Sequence, residues 1–128
     1  MSVLTDRSAI LATESRTLAL GLTALLLSIP PINHVELVPD TEALYEAIEE
    51  NQPLLIIIDT TMFGSQLPEA SRRVRDLSPH SLNVLLSENM AEFRELVYQS
   101  DETVIMKGTD PGRLARTLEF LLNDHIIA

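Results

Sequence analysis

The feature that most constrains this chain is an apolar run, residues 53–58, that ends in the carboxylate of Asp59. A run without charges that ends in three consecutive isoleucines is typical of a strand buried on both faces. Strands of this kind belong to parallel sheets that are covered by helices on both sides. Because open α/β sheets form their sites outside the carboxyl ends of the strands, Asp59 stands at a position suited to chemistry.

Strand patterns and helix patterns alternate along the whole chain. Strands are predicted at residues 8–13, 34–38, 53–58, 82–86 and 103–106, and helices at about 16–28, 41–50, 68–77, 90–99 and 111–122, with a loop at 60–66. Helix starts are supported by Asp40 or Thr41, by Asn89 and by Asp110, which are good capping residues. This alternation predicts an α/β domain whose five strands form a parallel sheet through right-handed crossovers.

Composition limits the class of protein. The chain has 128 residues, 45% of them hydrophobic and 22% charged, which fits one globular domain. It has no cysteine, which fits a reducing cytoplasm, and its longest apolar stretch is interrupted by Pro30 and Pro31, so no membrane span is expected. A formal net charge of −10 argues against direct binding of nucleic acid or of an anionic membrane.

Three predicted strands end in residues that can do chemistry. Asp59 ends the third strand, Ser87 follows the fourth and Lys107 follows the fifth. Since parallel strands present their carboxyl ends at one edge of the sheet, these side chains are expected to lie together.

This arrangement resembles the receiver domain of bacterial two-component response regulators. Met62 and Gly64 match receiver positions after the phosphoacceptor aspartate, Lys107 matches the receiver lysine, and Phe63 replaces a proline. The resemblance implies a flavodoxin-like strand order, 2-1-3-4-5, with helices on both faces. It also implies a single receiver-like domain over residues 1–128, with a core at about 9–122.

The resemblance further implies phosphorelay signalling rather than an enzyme acting on a metabolite. Asp59 would accept a phosphoryl group from a sensor histidine kinase or a phosphotransfer protein. Lys107 would pair with one phosphoryl oxygen, and Ser87 would donate a hydrogen bond to another. The signal would pass to an output protein or domain, or to a homodimer formed by the fourth helix, fifth strand and fifth helix.

Receivers hold Mg²⁺ through two acids after the first strand, and the matching positions are predicted to be Glu14 and Ser15. Glu14, Asp59 and the backbone carbonyl of Thr61 could supply the hard oxygen ligands that Mg²⁺ prefers. An alternative interpretation is that Ser15 simply caps the first helix.

Two other functions remain open at this stage. The first is a pseudo-receiver that docks proteins without phosphorylation, because the second acid is missing and Val104 stands where many receivers have a switching aromatic residue. The second, more remote, is a small flavodoxin-like enzyme or cofactor carrier. Its phosphate-binding loop would have to follow Glu14, where the chain has no glycine.

Overall fold

The computed structural model describes residues 6–100 and 102–127. The strands are β1 Asp6–Ala12, β2 His34–Val38, β3 Pro53–Asp59, β4 Leu82–Ser87 and β5 Thr103–Met106. The helices are α1 Arg16–Leu27, α2 Thr41–Asn51, α3 Leu67–Leu77, α4 Met90–Gln99 and α5 Pro111–Ile127.

All five strands are parallel and lie in the order β2-β1-β3-β4-β5, which confirms the predicted α/β fold. Ala12 pairs with Ile58 across β1 and β3, and Asp59 pairs with Leu86 across β3 and β4. The register therefore brings the carboxyl ends of the inner strands level with one another.

Alternate residues of the strands point to opposite faces of the sheet, and each face has its own core. On one face Leu55 and Ile57 pack with α1 and α5, whose Leu26 and Leu118 are fully buried. On the other face Ile56 and Ile58 pack with α2 and α3. β3 is thus buried on both sides, as its apolar run predicts.

Short polar side chains begin the helices. Ser15, Asp40 and Asn89 accept hydrogen bonds from the backbone N–H groups of Leu18, Ala43 and Glu92, respectively. Ser15 is thereby shown to cap α1. These caps satisfy N–H groups that have no partner inside the helix.

The main differences between the structure and the sequence prediction lie in β1, in the loop after β3 and in α5. β1 covers residues 6–12 instead of 8–13, and the expected loop at 60–66 contains two short 3₁₀ turns, Thr60–Met62 and Gly64–Gln66. α5 continues to Ile127 instead of ending at Leu122. At 17 residues α5 is the longest described helix, yet neither it nor any other described helix is long and apolar enough to cross a membrane.

Candidate functional site

The candidate site lies at the carboxyl edge of the sheet, where β1, β3, β4 and β5 end. Asp59 is the last residue of β3, Ser87 is the last residue of β4, and Lys107 directly follows β5. The backbone N–H of Lys107 donates to the carbonyl of Ser87 at 3.0 Å, which fixes the start of the β5–α5 connection against β4. The strand-end residues predicted from the sequence therefore come from adjacent strands.

Asp59 is buried, with its side chain 3% exposed, and both carboxylate oxygens are engaged. Lys107 Nζ lies 2.6 Å from Oδ1, and the Thr61 hydroxyl and backbone N–H donate to the same oxygen at 2.8 and 3.2 Å. The hydroxyl of Thr13 donates to Oδ2 at 2.7 Å. Asp59 is thus held in one orientation from three sides.

These contacts decide the charge of Asp59. Burial alone would raise the pKa of its carboxyl, but the hydrogen bonds from Lys107, Thr13 and Thr61 and the lysine's positive charge outweigh burial and lower that pKa. Asp59 is therefore an ionised carboxylate at neutral pH, the form in which a carboxyl group can act as a nucleophile.

Lys107 is shared between two acids. Its Nζ lies 2.6 Å from Asp59 Oδ1 and 2.7 Å from Glu88 Oε1, while Glu88 itself is half exposed. Burial by itself would lower the pKa of Lys107, but the hydrogen bonds and negative charges of Asp59 and Glu88 outweigh burial and raise it. Lys107 thus remains a cation fixed beside Asp59.

Ser87 is completely buried, and its hydroxyl has no hydrogen-bond partner among the described residues. A buried polar group without a partner is unusual, because its desolvation is not offset by a hydrogen bond. The structure brings Ser87 to the predicted strand end, but its hydroxyl forms no hydrogen bond with Asp59.

The position after β1 that touches Asp59 is Thr13 rather than Ser15, whose hydroxyl caps α1. Thr13, which the sequence prediction did not include in the site, is therefore the residue of this connection that bonds Asp59, while Ser15 bonds the start of α1. Glu14 is exposed and forms no hydrogen bond with another described residue. Within the described ranges, no three acidic or histidine side chains come together as a metal-binding group.

Sequence reasoning missed Thr13 and Glu88 as members of the site. Both directly follow the strands β1 and β4 as the structure has them, but the predicted strand ends, residues 13 and 86, lay one residue away and pointed to Glu14 and Ser87 instead. Thr13 bonds Asp59 and Glu88 bonds Lys107. These contacts depend on strand register and side-chain rotamers, which the sequence pattern does not give.

The residues that differ from the receiver pattern are accommodated locally. Phe63, in place of proline, is 7% exposed and packs into the core under α2 and α3. Gly64, which follows Phe63 and matches the receiver pattern, has a φ of 56°, in the left-handed region where glycine is favoured. Val104 is half buried against the same core, so β5 offers no aromatic side chain at that position.

Comparison with known proteins gives structural matches alone. No protein-family profile and no curated protein sequence matches this chain. Its fold is similar to a CheY-like response regulator receiver domain protein from Methanospirillum hungatei JF-1, with 13% identity, a TM-score of 0.76, and coverage of 94% of this chain and 96% of that one.

Two further solved structures match as well. The signal receiver domain of an HD domain-containing protein from Pseudomonas fluorescens Pf-5 has 15% identity and a TM-score of 0.77, with 98% of this chain and 93% of that chain covered. The beryllofluoride-activated NtrC4 receiver domain dimer has 12% identity and a TM-score of 0.76, with 93% and 98% covered. The chain therefore has the fold of response regulator receiver domains, as its sequence resemblance implied.

Proposed function

We propose that this chain is a signalling receiver that accepts a phosphoryl group on Asp59. The observation that carries the proposal is the ionised, buried Asp59 carboxylate held 2.6 Å from the Lys107 ammonium at the carboxyl edge of the sheet. The unpartnered Ser87 hydroxyl on the neighbouring strand end adds a donor that a phosphoryl oxygen would satisfy.

The proposed chemistry is transfer from a phosphohistidine of a sensor kinase or phosphotransfer protein. An Asp59 oxygen attacks the phosphorus, an acyl-phosphate bond forms, the phosphorus–nitrogen bond breaks, and the released imidazole takes up a proton. Lys107 faces the negative charge of the transferred group, and Ser87 donates a hydrogen bond to one of its oxygens. Such catalysis depends on positioning and on neutralising charge, which these fixed side chains provide.

Mg²⁺ fits the oxygen donors at this edge of the sheet. Asp59 and the exposed Glu14 would supply carboxylates and Thr61 would supply a backbone carbonyl, all hard oxygen ligands, and Mg²⁺ usually completes its coordination with water. When bound, the cation would neutralise charge on the transferred phosphoryl group. Because Thr13 is neutral, we expect weaker binding than at a site with a second carboxylate beside Asp59.

A groove next to the site offers a place for the phosphodonor protein to dock. It has a volume of about 400 Å³, lies between α1 and α5, and reaches from Lys107 to the leucines Leu18, Leu22, Leu25 and Leu114. An apolar partner helix laid against this surface would bring its histidine towards Asp59, in the cytoplasm where sensor kinases present their phosphohistidine.

The proposal is tested with acetyl phosphate and Mg²⁺, using intact mass as the measurement. We expect the parent protein to gain one phosphoryl group and the Asp59→Asn variant to gain none. Asp110→Asn is the matched control, because it removes a carboxylate at the start of α5, outside the set that contacts Asp59. Equal labelling of Asp59→Asn would show that another residue is the acceptor.

A second candidate is a pseudo-receiver that docks partners without phosphorylation. It is favoured by the hydroxyl of Thr13 on Asp59 Oδ2, which fills the place of a metal-binding acid with a neutral donor. In that case the parent mass stays unchanged in acetyl phosphate at all Mg²⁺ concentrations.

The output of either form would pass through the face made by α4, β5 and α5. The similar NtrC4 receiver domain is described as a dimer, and a homodimer is therefore one form that this output would take.

A further inference from the structure

A groove lies between α3 and α4, on the face of the sheet that also carries α2. It has a volume of about 310 Å³, which is a size typical of small-molecule sites. Its floor is apolar, because Leu85 of β4 and Leu67 of α3 are buried and Leu96 of α4 is partly buried. No residue of α4 is fully buried, so this helix does not close the space against α3.

The wall that α3 contributes to this groove is basic. Arg72 and Arg75 both line it, and their spacing of three residues places them side by side on one face of the helix. Arg73 is turned instead towards α2, where its guanidinium lies 4.5 Å from the centre of the Tyr45 ring. In a chain with a net charge of −10, two guanidiniums at one groove form a local attraction for an anion.

An acid of the chain itself already binds at this wall. Oε1 of Glu102 accepts hydrogen bonds from Nε and Nη2 of Arg75, at 3.3 and 3.0 Å, and from the hydroxyl of Ser71 at 3.3 Å. The side chain of Glu102 is 9% exposed and Ser71 is 8% exposed, so the carboxylate is largely removed from water. Two residues that line the groove, Ser71 and Arg75, thus bind an anionic oxygen in this structure.

Glu102 uses only part of the capacity of this wall. All three of its contacts go to one oxygen, and they are longer than the usual contact between a guanidinium and a carboxylate. Arg72 forms no ion pair with another of the described residues. Because Arg75 is about half exposed, its ion pair with Glu102 contributes little to stability, and a second anion can displace the carboxylate.

We propose that the groove between α3 and α4 binds a phosphorylated small molecule with an apolar or aromatic body. The phosphate binds Arg72 and Arg75 in place of Glu102, and the body covers the leucines of the floor. A phosphate suits two guanidiniums, since it offers three terminal oxygens and up to two negative charges. A carboxylate has two oxygens and is satisfied by one arginine.

The proposed site is separate from the strand-end residues. None of the described residues that line the groove forms a hydrogen bond or an ion pair with Asp59 or Lys107. Binding in the groove therefore does not depend on phosphorylation of Asp59.

The probe is phenyl phosphate, titrated into the protein without Mg²⁺ and followed through the backbone amide NMR signals. We expect shifts centred on Ser71, Leu85 and Gln99, with a dissociation constant of about 1 mM, as for other ligands of this size. Inorganic phosphate and phenol each supply one half of the probe and should bind at least about tenfold more weakly. Equally tight binding of inorganic phosphate would show an adventitious ion only and would overturn the proposal.

Arginine variants locate the phosphate. Arg72→Gln and Arg75→Gln each remove charged donors from the wall, and each should weaken the binding of phenyl phosphate by about tenfold. Arg73→Gln is the matched control, because it removes the same charge from the same helix on the side that faces Tyr45. It should change the affinity by less than about twofold. An equal loss of affinity in Arg73→Gln would mean general attraction to α3 and would overturn the site.

Glu102→Gln tests the displacement of the internal acid. It frees Arg75 and should raise the affinity for phenyl phosphate by about threefold or more. Glu69→Gln is its control, since it removes an acid of α3 that lies on the side of Tyr45. No gain in Glu102→Gln, or an equal gain in Glu69→Gln, would contradict the proposal. Asp59→Asn should bind the probe as the parent does, whereas loss of binding in this variant would place the phosphate at the strand ends and overturn the groove.

Discussion

Asp59 carries its charge in surroundings that would oppose it without the neighbouring donors. Three side chains make ionisation favourable: the Lys107 ammonium and the hydroxyls of Thr13 and Thr61. The same donors occupy both carboxylate oxygens, so a bound cation or an incoming phosphorus must displace at least one of them. At the residue scale, Oδ2 is the simpler oxygen to free, because Thr13 is its one donor among the described residues whereas Oδ1 has three contacts.

We predict that Thr13→Asp raises the affinity for Mg²⁺ by at least about tenfold. The substitution places a second carboxylate against Asp59, giving a hard cation another anionic ligand. Without metal, two neighbouring carboxylates repel each other, so the variant should be less stable than the parent. The measurements are Mg²⁺ titration by calorimetry and the rise in thermal stability with added Mg²⁺.

Ser15→Asp is the control for that substitution. Ser15 caps α1 and does not contact Asp59, and aspartate is an equally good capping residue. It adds the same charge two residues further along the chain, so it should change Mg²⁺ affinity much less than Thr13→Asp. A stronger effect from Ser15→Asp would mean that the cation lies nearer the start of α1 than the register indicates.

At the scale of secondary-structure elements, the predictable features are those set by local chemistry. The apolar run before Asp59, the caps Asp40 and Asn89, and Pro111 at the start of α5 all correspond to element boundaries in the structure. The end of α5 was predicted too early because polar residues follow Leu122. A helix with one exposed face accepts polar residues there, and no glycine or proline follows to stop it.

Similar limits apply to the candidate site. The strand-end positions of Asp59, Ser87 and Lys107 follow from the apolar strand runs and the parallel sheet. The hydrogen bond of Thr13 to Asp59 and the second partner of Lys107, Glu88, follow from register and side-chain rotamers. Those depend on packing across strands far apart in sequence, which local patterns do not encode.

α5 is attached to the sheet by a row of leucines, and this makes a stability prediction possible. Leu118 is fully buried in the core under α1 and α5, while Phe120, two residues later, is 71% exposed. Leu118→Ala should lower the free energy of unfolding by about 2–5 kcal/mol, because it removes packed methyl groups and leaves a cavity. Phe120→Ala should change it by less than about 0.5 kcal/mol.

Chemical denaturation monitored by circular dichroism measures both values. The urea slope should stay the same in the two variants, since both should unfold from the same fold. Equal loss of stability in Leu118→Ala and Phe120→Ala would contradict the described packing of α5.

At the scale of the whole molecule, charge opposes self-association. A chain with a net charge of −10 repels a second copy, so a dimer needs a face that combines apolar area with positive charge. The face made by α4, β5 and α5 has exposed Val97 and Phe120 together with the arginines Arg94, Arg113 and Arg116. Glu92, an acid on the same helix as Arg94, is turned towards Thr60 and Glu88.

We therefore expect any homodimer to form through this face, with Arg113 and Arg116 pairing with acids of the second copy such as Glu95 and Glu119. A groove of about 480 Å³ between α4 and α5, lined by Phe93, Val104 and Arg113 among others, provides shape for a reciprocal contact. Reversing both arginines, Arg113→Glu with Arg116→Glu, should lower the dimer association constant by at least about tenfold, because the variant adds repulsion at the contact itself. Sedimentation equilibrium measures this constant from the average mass at each concentration.

The matched control reverses two exposed arginines elsewhere, Arg16→Glu on α1 with Arg72→Glu on α3. It makes the same change in net charge, so a general increase in repulsion would weaken association equally in both double variants. Salt adds a second criterion: screening reduces the long-range repulsion between the two acidic chains, so the parent dimer should strengthen between low and moderate ionic strength. A parent protein that remains monomeric at high concentration, with and without beryllofluoride, would exclude this interface, and the output of the proposed receiver would then have to pass through a different partner.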